Sequence, residues 1–308
     1  MRKWSILPLF AEERAADAWA MTDTKTSVTV LGTGRMGSAI ARLYLAAGHT
    51  VTVWNRTPGK AAELVEAGAV EVGTVADAVA ANAFTVVVLF NGDAVRATIE
   101  QAGSLGTVLN LSTGRPDEAR DIAALVEGRG GRYLDGGMFG VPQTIGSKDS
   151  LTIYSGSPDA HEEHRGLLEL LGGTLYLGAD HGLGSLNDMA VLGGMYGLFA
   201  GFFQSVAMVA TEGGTATEFT ERLLLPWLRE TVELLPTLAA EIDAGDYPVS
   251  FSDLDVNRTG LANIVRTSRE QGADTRLLDP LTELFDAQAA KGFGAASFTR
   301  VVEELRAR

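Results

Sequence analysis

The chain has no cysteine. Disulfides, thiolate nucleophiles and cysteine-ligated metals are therefore excluded. Histidine is scarce too: His49, His161, His164 and His181 are the only four. His161 and His164 stand three apart in a charged stretch with no third ligand evident nearby, which reads as a solvated helix face, and no metal is expected. The net charge is −14. A chain so short of positive charge is not expected to bind nucleic acid or an anionic membrane. No signal peptide is read at the start. Residues 1–25 open with basic residues and a short apolar stretch, but acids follow at once and no small-residue cleavage site comes after a sufficient apolar core. They read as a flexible extension, and the protein as cytoplasmic.

The length of 308 residues leaves room for two domains with a sizeable core. The most informative stretch is 27–57. A β-branched run, Val28 to Leu31, leads into Gly32-x-Gly34-x-x-Gly37, then a helical pattern, then a second β-branched run, Val51 to Trp54. Strand, glycine turn, helix and strand in that order form the dinucleotide-binding fingerprint. Gly32 permits the tight turn, Gly34 lets backbone approach a pyrophosphate, and Gly37 lets helix and strand pack closely. Thr33, Arg35 and Met36 complete the expected phosphate-binding turn at the positive end of the helix. A site specific for NAD usually has Asp or Glu at the end of the second strand. Here that place holds Asn55, Arg56 and Thr57, with Lys60 just beyond. An arginine fork with neighbouring donors suits a 2′-phosphate, so the expected cofactor is NADPH.

Strand–helix alternation continues. Apolar runs at Phe84–Phe90 and Thr107–Ser112, and shorter ones at 132–136, 151–156 and 174–178, read as strands. Helices are expected from Asp93 to Gln101, from Pro116 to about Glu127 and from Ser157 on. Repeated βαβ units imply an α/β, doubly wound, parallel-rich sheet over residues 26–184. Phe90 and Asn91, at the carboxyl end of their strand, are candidate cofactor contacts, and Asn91 a candidate substrate contact as well.

The character changes near Leu183. Met189 to Thr211 carries no charge and is apolar on every side, with Gly193, Gly197 and Gly201 at four-residue spacing. A membrane span has this length, but the segment follows an α/β domain, holds Gln204 and lacks basic flanks. The preferred reading is a long helix (185–213) buried on several sides, with a partner copy covering part of it. Residues 214–308 read as an all-α domain. Pro226 and Pro236 interrupt its pattern, and helices are expected over 254–271, 280–291 and 296–307.

A nucleotide domain, a long helix and a helical C-terminal domain resemble the β-hydroxyacid dehydrogenase superfamily. The motifs that carry the resemblance are LGTGRMG, WNRT, LDGGMFG (Leu134 to Gly140), LTIYSG and GLGSLNDM (Gly182 to Met189). In hydroxyacid dehydrogenases the last segment holds a catalytic lysine followed three residues later by an asparagine. Those positions here are Asp188 and Val191. An acid in place of lysine suits a C=N substrate, because a carboxyl group can protonate an imine or face an iminium cation. The segment LNDMAVLGGMYG resembles the NADPH-dependent imine reductases and reductive aminases of the aspartate subgroup. That resemblance implies catalytic roles for Asp188 and Tyr196, a substrate pocket that includes Trp227, Val256 and Asn257, and a domain-swapped homodimer. Tyr196 lies about 12 Å further along an ideal helix and about 80° from the Asp188 face, so both can line one elongated cleft. Asp188 could instead serve as a helix cap if its helix starts near Gly184. The expected activity is reduction of cyclic imines, with reductive amination. The alternatives are a hydroxyacid or semialdehyde reductase and a non-catalytic NADP-binding regulator.

Overall fold

The computed structural model describes residues 26–306, so the extension expected at residues 1–25 and the end of the last expected helix at Ala307 lie outside the described residues. The chain divides into two compact units, one ending at Leu192 and one beginning at Gly193.

The first unit is built on a sheet of β1 (Ser27–Leu31), β2 (Thr50–Trp54), β3 (Val70–Glu71), β4 (Phe84–Val87), β5 (Thr107–Asn110), β6 (Arg132–Phe139), β7 (Leu151–Gly156) and β8 (Gly173–Tyr176). Their order is β3-β2-β1-β4-β5-β6-β7-β8. The first six follow the doubly wound order, which reverses direction of travel between β1 and β4 and opens a crevice at their carboxyl ends. Helices cover both faces of the sheet, which is why the central strands are mostly apolar on both sides, with threonines such as Thr29 and Thr85 buried among them. Val28, Val30, Phe84 and Val86 pack with Ile40 and Tyr44 of the helix Arg35–Ala46 on one face. Leu31 and Val87 pack on the other with Val75, Ile122 and Val126.

Several local expectations need correction. β3 was not anticipated, because two residues at a sheet edge, with Val70 half exposed, carry no readable pattern. β4 stops at Val87 rather than Phe90, since its neighbour β1 ends where Gly32 turns away at φ +99°. β6 runs on to Phe139, held by β7, which pairs with it antiparallel while every other neighbouring pair is parallel. His164 is not on a solvated face: it is buried beside the Phe84 ring with Nε2 at 3.0 Å from Thr107 Oγ1. No cluster of metal-ligating side chains exists among the described residues.

The long helix runs from Leu183 to Ala210. It was expected to be buried on several sides, yet only 6% of its most apolar window is buried within the chain. By length and composition it could cross a membrane. In the second unit, however, its Gln204 is buried and donates to Ser268 Oγ at 3.4 Å. The rest of that unit is helical: Ala216–Phe219, a π turn at Thr220–Leu224, then Leu225–Val232, Leu235–Ala244, Leu254–Glu270 and Asp279–Ala290. Pro226 and Pro236 fall in first turns, where a missing N–H leaves no hydrogen bond unmade. The last expected helix is a 3-10 segment, Phe298–Glu304. Glu241 fastens it: this buried carboxylate accepts from Ser297 Oγ, from Thr299 Oγ1 at 2.8 Å and from the Ser250 backbone at 3.0 Å.

Candidate active site

The glycine turn is shaped by contacts that leave no room for side chains. A Cβ on Gly32 would lie 2.2 Å from the Val88 carbonyl oxygen, and one on Gly37 would lie 1.9 Å from that of Gly32. Gly34 differs: a Cβ there would meet nothing within 4 Å, so its missing side chain leaves open space in front of the backbone. Gly34 also caps the helix Arg35–Ala46, and no side chain accepts from the first-turn N–H groups. The Thr33 hydroxyl is buried without a hydrogen-bond partner. Free first-turn donors, an orphaned hydroxyl and an open glycine form a cradle that fits a pyrophosphate.

The end of β2 closes over this turn. Asn55 Oδ1 accepts from Thr33 N at 3.2 Å, and Asn55 Nδ2 donates to the Thr57 carbonyl at 3.0 Å. Asn55 thus ties the phosphate turn to the loop that carries Arg56, Thr57 and Lys60, all exposed. Arg35, Arg56 and Lys60 make no ion pair with any described residue. Three unpaired cations beside one turn, in a chain of net charge −14, fit an anionic ligand such as a 2′-phosphate. One residue here escaped the sequence reading. Glu71, at the end of β3, accepts from Gly59 N at 3.2 Å and holds the far side of the loop.

A cleft of about 270 Å³ opens at the carboxyl ends of the central strands. It is lined by Met36 and Phe90, by Thr113 and Met138, and by Gly137 and Asp188 among others. The structure therefore brings the start of the phosphate-binding helix, the segment Val88 to Phe90 after β4 and the acid together in the first unit. The Phe90 ring is 92% exposed. Asn91 caps the helix Gly92–Ile99, its Oδ1 accepting from Ala94 N at 2.9 Å. Its acceptor is spent on the helix, so what remains for a ligand is the Nδ2 donor.

Asp188 is 6% exposed and makes no hydrogen bond or ion pair with a described residue. Burial with no donor to offset it pushes its carboxyl above the ordinary range. The helix begins at Leu183, so Asp188 lies in its second turn and is not an N-terminal cap. It packs against Gly137 of β6, where a Cβ would come within 2.8 Å of the Asp188 Cβ. A second buried carboxylate, Asp135, stands two residues back on β6. Desolvation pushes it up to about 6, although Ser185, Tyr133 and Asn110 donate to it. Neither Asp135 nor Gly137 was singled out from sequence. Both lie in the LDGGMFG motif, but the residues they meet are about fifty positions away.

The second unit presents its predicted residues differently. Tyr196, on the long helix, is 65% exposed and edge-on to Phe199 with ring centroids 6.2 Å apart. Trp227 and Val256 are exposed in the same degree. The Asn257 amide is committed locally, donating to Ser252 Oγ and to the Asp253 carbonyl, both at 2.8 Å.

A phosphate cradle at the switch point of a doubly wound sheet, with a buried acid in the neighbouring cleft, is the arrangement of a nicotinamide-dinucleotide oxidoreductase. Residues 27–178 match the NAD binding domain of 6-phosphogluconate dehydrogenase, and residues 180–307 match the NADPH-dependent reductive aminase-like C-terminal domain. The chain is 38% identical to the NADPH-dependent reductive aminase of Aspergillus oryzae (strain ATCC 42149 / RIB 40), over 91% of this chain and 97% of that one. It belongs to the NADPH-dependent reductive aminase family. Among solved structures, it resembles a reductive aminase from Aspergillus terreus in complex with NADPH and ethyl-5-oxohexanoate. That match has a TM-score of 0.87 and 40% identity, and covers 92% of this chain and 100% of the other. An imine reductase from Aspergillus terreus, solved with NADPH4, matches with a TM-score of 0.85 and 39% identity over 91% and 99% of the two chains.

Proposed function

We propose that this protein reduces the C=N bond of cyclic imines with NADPH, and that it also carries out reductive amination by reducing imines formed from a ketone and an amine. The observation that carries the reading is Asp188: a buried, unpartnered acid with a raised pKa, at the position where hydroxyacid dehydrogenases hold lysine. A carboxyl that stays protonated to higher pH can give its proton to an imine nitrogen. The resulting carboxylate then faces the cationic nitrogen and stabilises it, where a lysine would repel it.

NADPH, when bound, supplies the hydride. The backbone of Gly32, Thr33, Gly34 and Gly37, with Arg35 and Met36, holds the pyrophosphate. Arg56, Thr57 and Lys60 hold the 2′-phosphate, on a loop that Asn55 orients. Phe90 and the Asn91 Nδ2 donor border the nicotinamide ribose. Tyr196 offers a phenol hydroxyl on the same helix as Asp188, and Trp227, Val256 and Asn257 are the substrate-pocket residues of this reading. The uncovered apolar stretch of the long helix supports a homodimer, with the second copy rather than a membrane as its cover, and a cytoplasmic location suits such a dimer.

The test mixes purified protein, NADPH and 2-methyl-1-pyrroline, and follows cofactor oxidation. Oxidation with the imine but not with β-hydroxy acids or semialdehydes is expected. Oxidation with semialdehydes alone would reverse the reading. Arg56→Ala should raise the KM for NADPH by about tenfold or more while leaving that for NADH nearly unchanged. An equal effect on both would remove the 2′-phosphate assignment.

A further inference from the structure

We infer that Asp135 is a positioning residue: through Ser185 it sets the first turn of the long helix, and thereby where Asp188 stands in the cleft. The inference rests on Asp188 acting as proposed above. Asp135 and Gly137 are two apart on β6 and so face the same side of the sheet. Ser185 and Asp188 are three apart on the helix and share a face. Strand and helix are therefore joined at two matched points.

At the first point, Asp135 Oδ2 accepts from Ser185 N at 2.7 Å and from Ser185 Oγ at 2.6 Å. Its other oxygen, Oδ1, accepts from Tyr133 OH at 3.1 Å and from Asn110 Nδ2 at 3.4 Å. Both oxygens are held, so the carboxylate cannot swing. Gly184 lets the helix come this close, since a Cβ there would lie 2.9 Å from Asp135 Oδ2. At the second point, Gly137 receives Asp188 itself. The backbone and hydroxyl bonds to Ser185 together fix both the height and the roll of the helix, and the roll decides whether the Asp188 carboxyl faces the cleft. A buried carboxylate is an expensive helix anchor. It is nevertheless the group that accepts two donors from one residue while two more hold it still.

The experiment compares Asp135→Asn, Ser185→Ala and Asp188→Ala, singly and as doubles with Asp188→Ala. It measures kcat and KM for 2-methyl-1-pyrroline and the Kd for NADPH. Asp135→Asn and Ser185→Ala should each lower kcat by about tenfold or more, because small misplacements of a reacting group are costly. NADPH affinity should stay within about twofold, since the phosphate cradle is elsewhere. In the Asp188→Ala background the further loss should vanish, which a general loss of fold would not produce. If Asp135→Asn does not fold, Ser185→Ala still decides, because it keeps the backbone bond and removes only the hydroxyl one. Unchanged kcat in the folded variants, or a loss that is the same with and without Asp188, overturns the positioning role alone. Wild-type turnover in Asp188→Ala overturns the acid assignment and this inference with it.

Discussion

Between Leu183 and Leu192 the long helix is fastened to β6: Ser185 is bonded to Asp135, and Asp188 is seated on Gly137. Between Gly193 and Ala210 the same helix is more apolar, yet Leu198, Phe199 and Phe203 are 49%, 40% and 60% exposed. Gly193, Gly194, Gly197 and Gly201 have open space where a Cβ would be. In the first half only the face of Gly184, Ser185 and Asp188 is buried, while Leu186 and Val191 are each 51% exposed; in the second half the apolar side chains stand open on several sides. Apolar content creates a demand for cover, but only a facing surface meets it. The Ser185 and Asp188 face finds that surface in its own sheet. For the rest of the helix the proposed cover is the second copy.

Substitutions on the two halves should therefore fail in different ways. The largest effect is expected at Asp188: Asp188→Ala should lower turnover by about 100-fold or more, the usual contribution of a placed acid. Tyr196→Phe, on the uncovered half, should cost about tenfold or less in the same assay. Equal losses would erase the distinction between the halves.

Phe203→Glu should act on assembly. A charge placed in an apolar contact is strongly unfavourable. Sedimentation should show wild type as a dimer and the variant as a monomer. A wild type that sediments as a monomer would mean that a second copy is not the cover. Gly137→Ala should act on the fastened half alone, lowering kcat about tenfold by displacing Asp188 while leaving the sedimentation unchanged.

A separate effect concerns pH and stability. Asp135 is raised from 3.8 to about 6 in the folded chain, and Asp188 is raised as well. Between those pH values the folded chain holds the Asp135 proton more tightly than the unfolded one, so the Asp135 contribution to stability falls as pH rises, and the raised Asp188 acts in the same direction. For Asp135 the fall between pH ~4 and ~6 is on the order of 3 kcal/mol. Urea titrations at these pH values should show Asp135→Asn with a flatter dependence than wild type. An identical slope would place the Asp135 carboxyl in its ordinary range. Turnover by a proton-donating Asp188 should likewise fall as pH rises through its folded pKa.

Legibility followed range along the chain. The glycine turn and the strands around it could be read because each depends on neighbours a few residues away: Gly37 is glycine because of Gly32, and the β-branched runs are buried by alternation. The placement of Asn55, Arg56, Thr57 and Lys60 beside the turn could be anticipated because the end of the second strand has a known relation to it. Asp188 stood out through the residue it replaces. The Asp135–Ser185 bonds, the seat at Gly137 and the hold of Glu71 on Gly59 left no local trace, since each joins distant elements. His164 misled for the same reason: its charged neighbours face water while its own ring turns inward to Thr107.

The sequence by itself determined the doubly wound domain, the phosphate turn and the dependence on NADPH, and it marked out the residue proposed as the acid, because short-range periodicity and residue chemistry are written along the chain. Tertiary structure alone decided that β7 runs against β6, that Asp188 is buried and unpartnered in a cleft shared with Met36, and that most of an apolar helix stands uncovered. Those outcomes depend on which surfaces meet, and burial is a property of the meeting rather than of either residue.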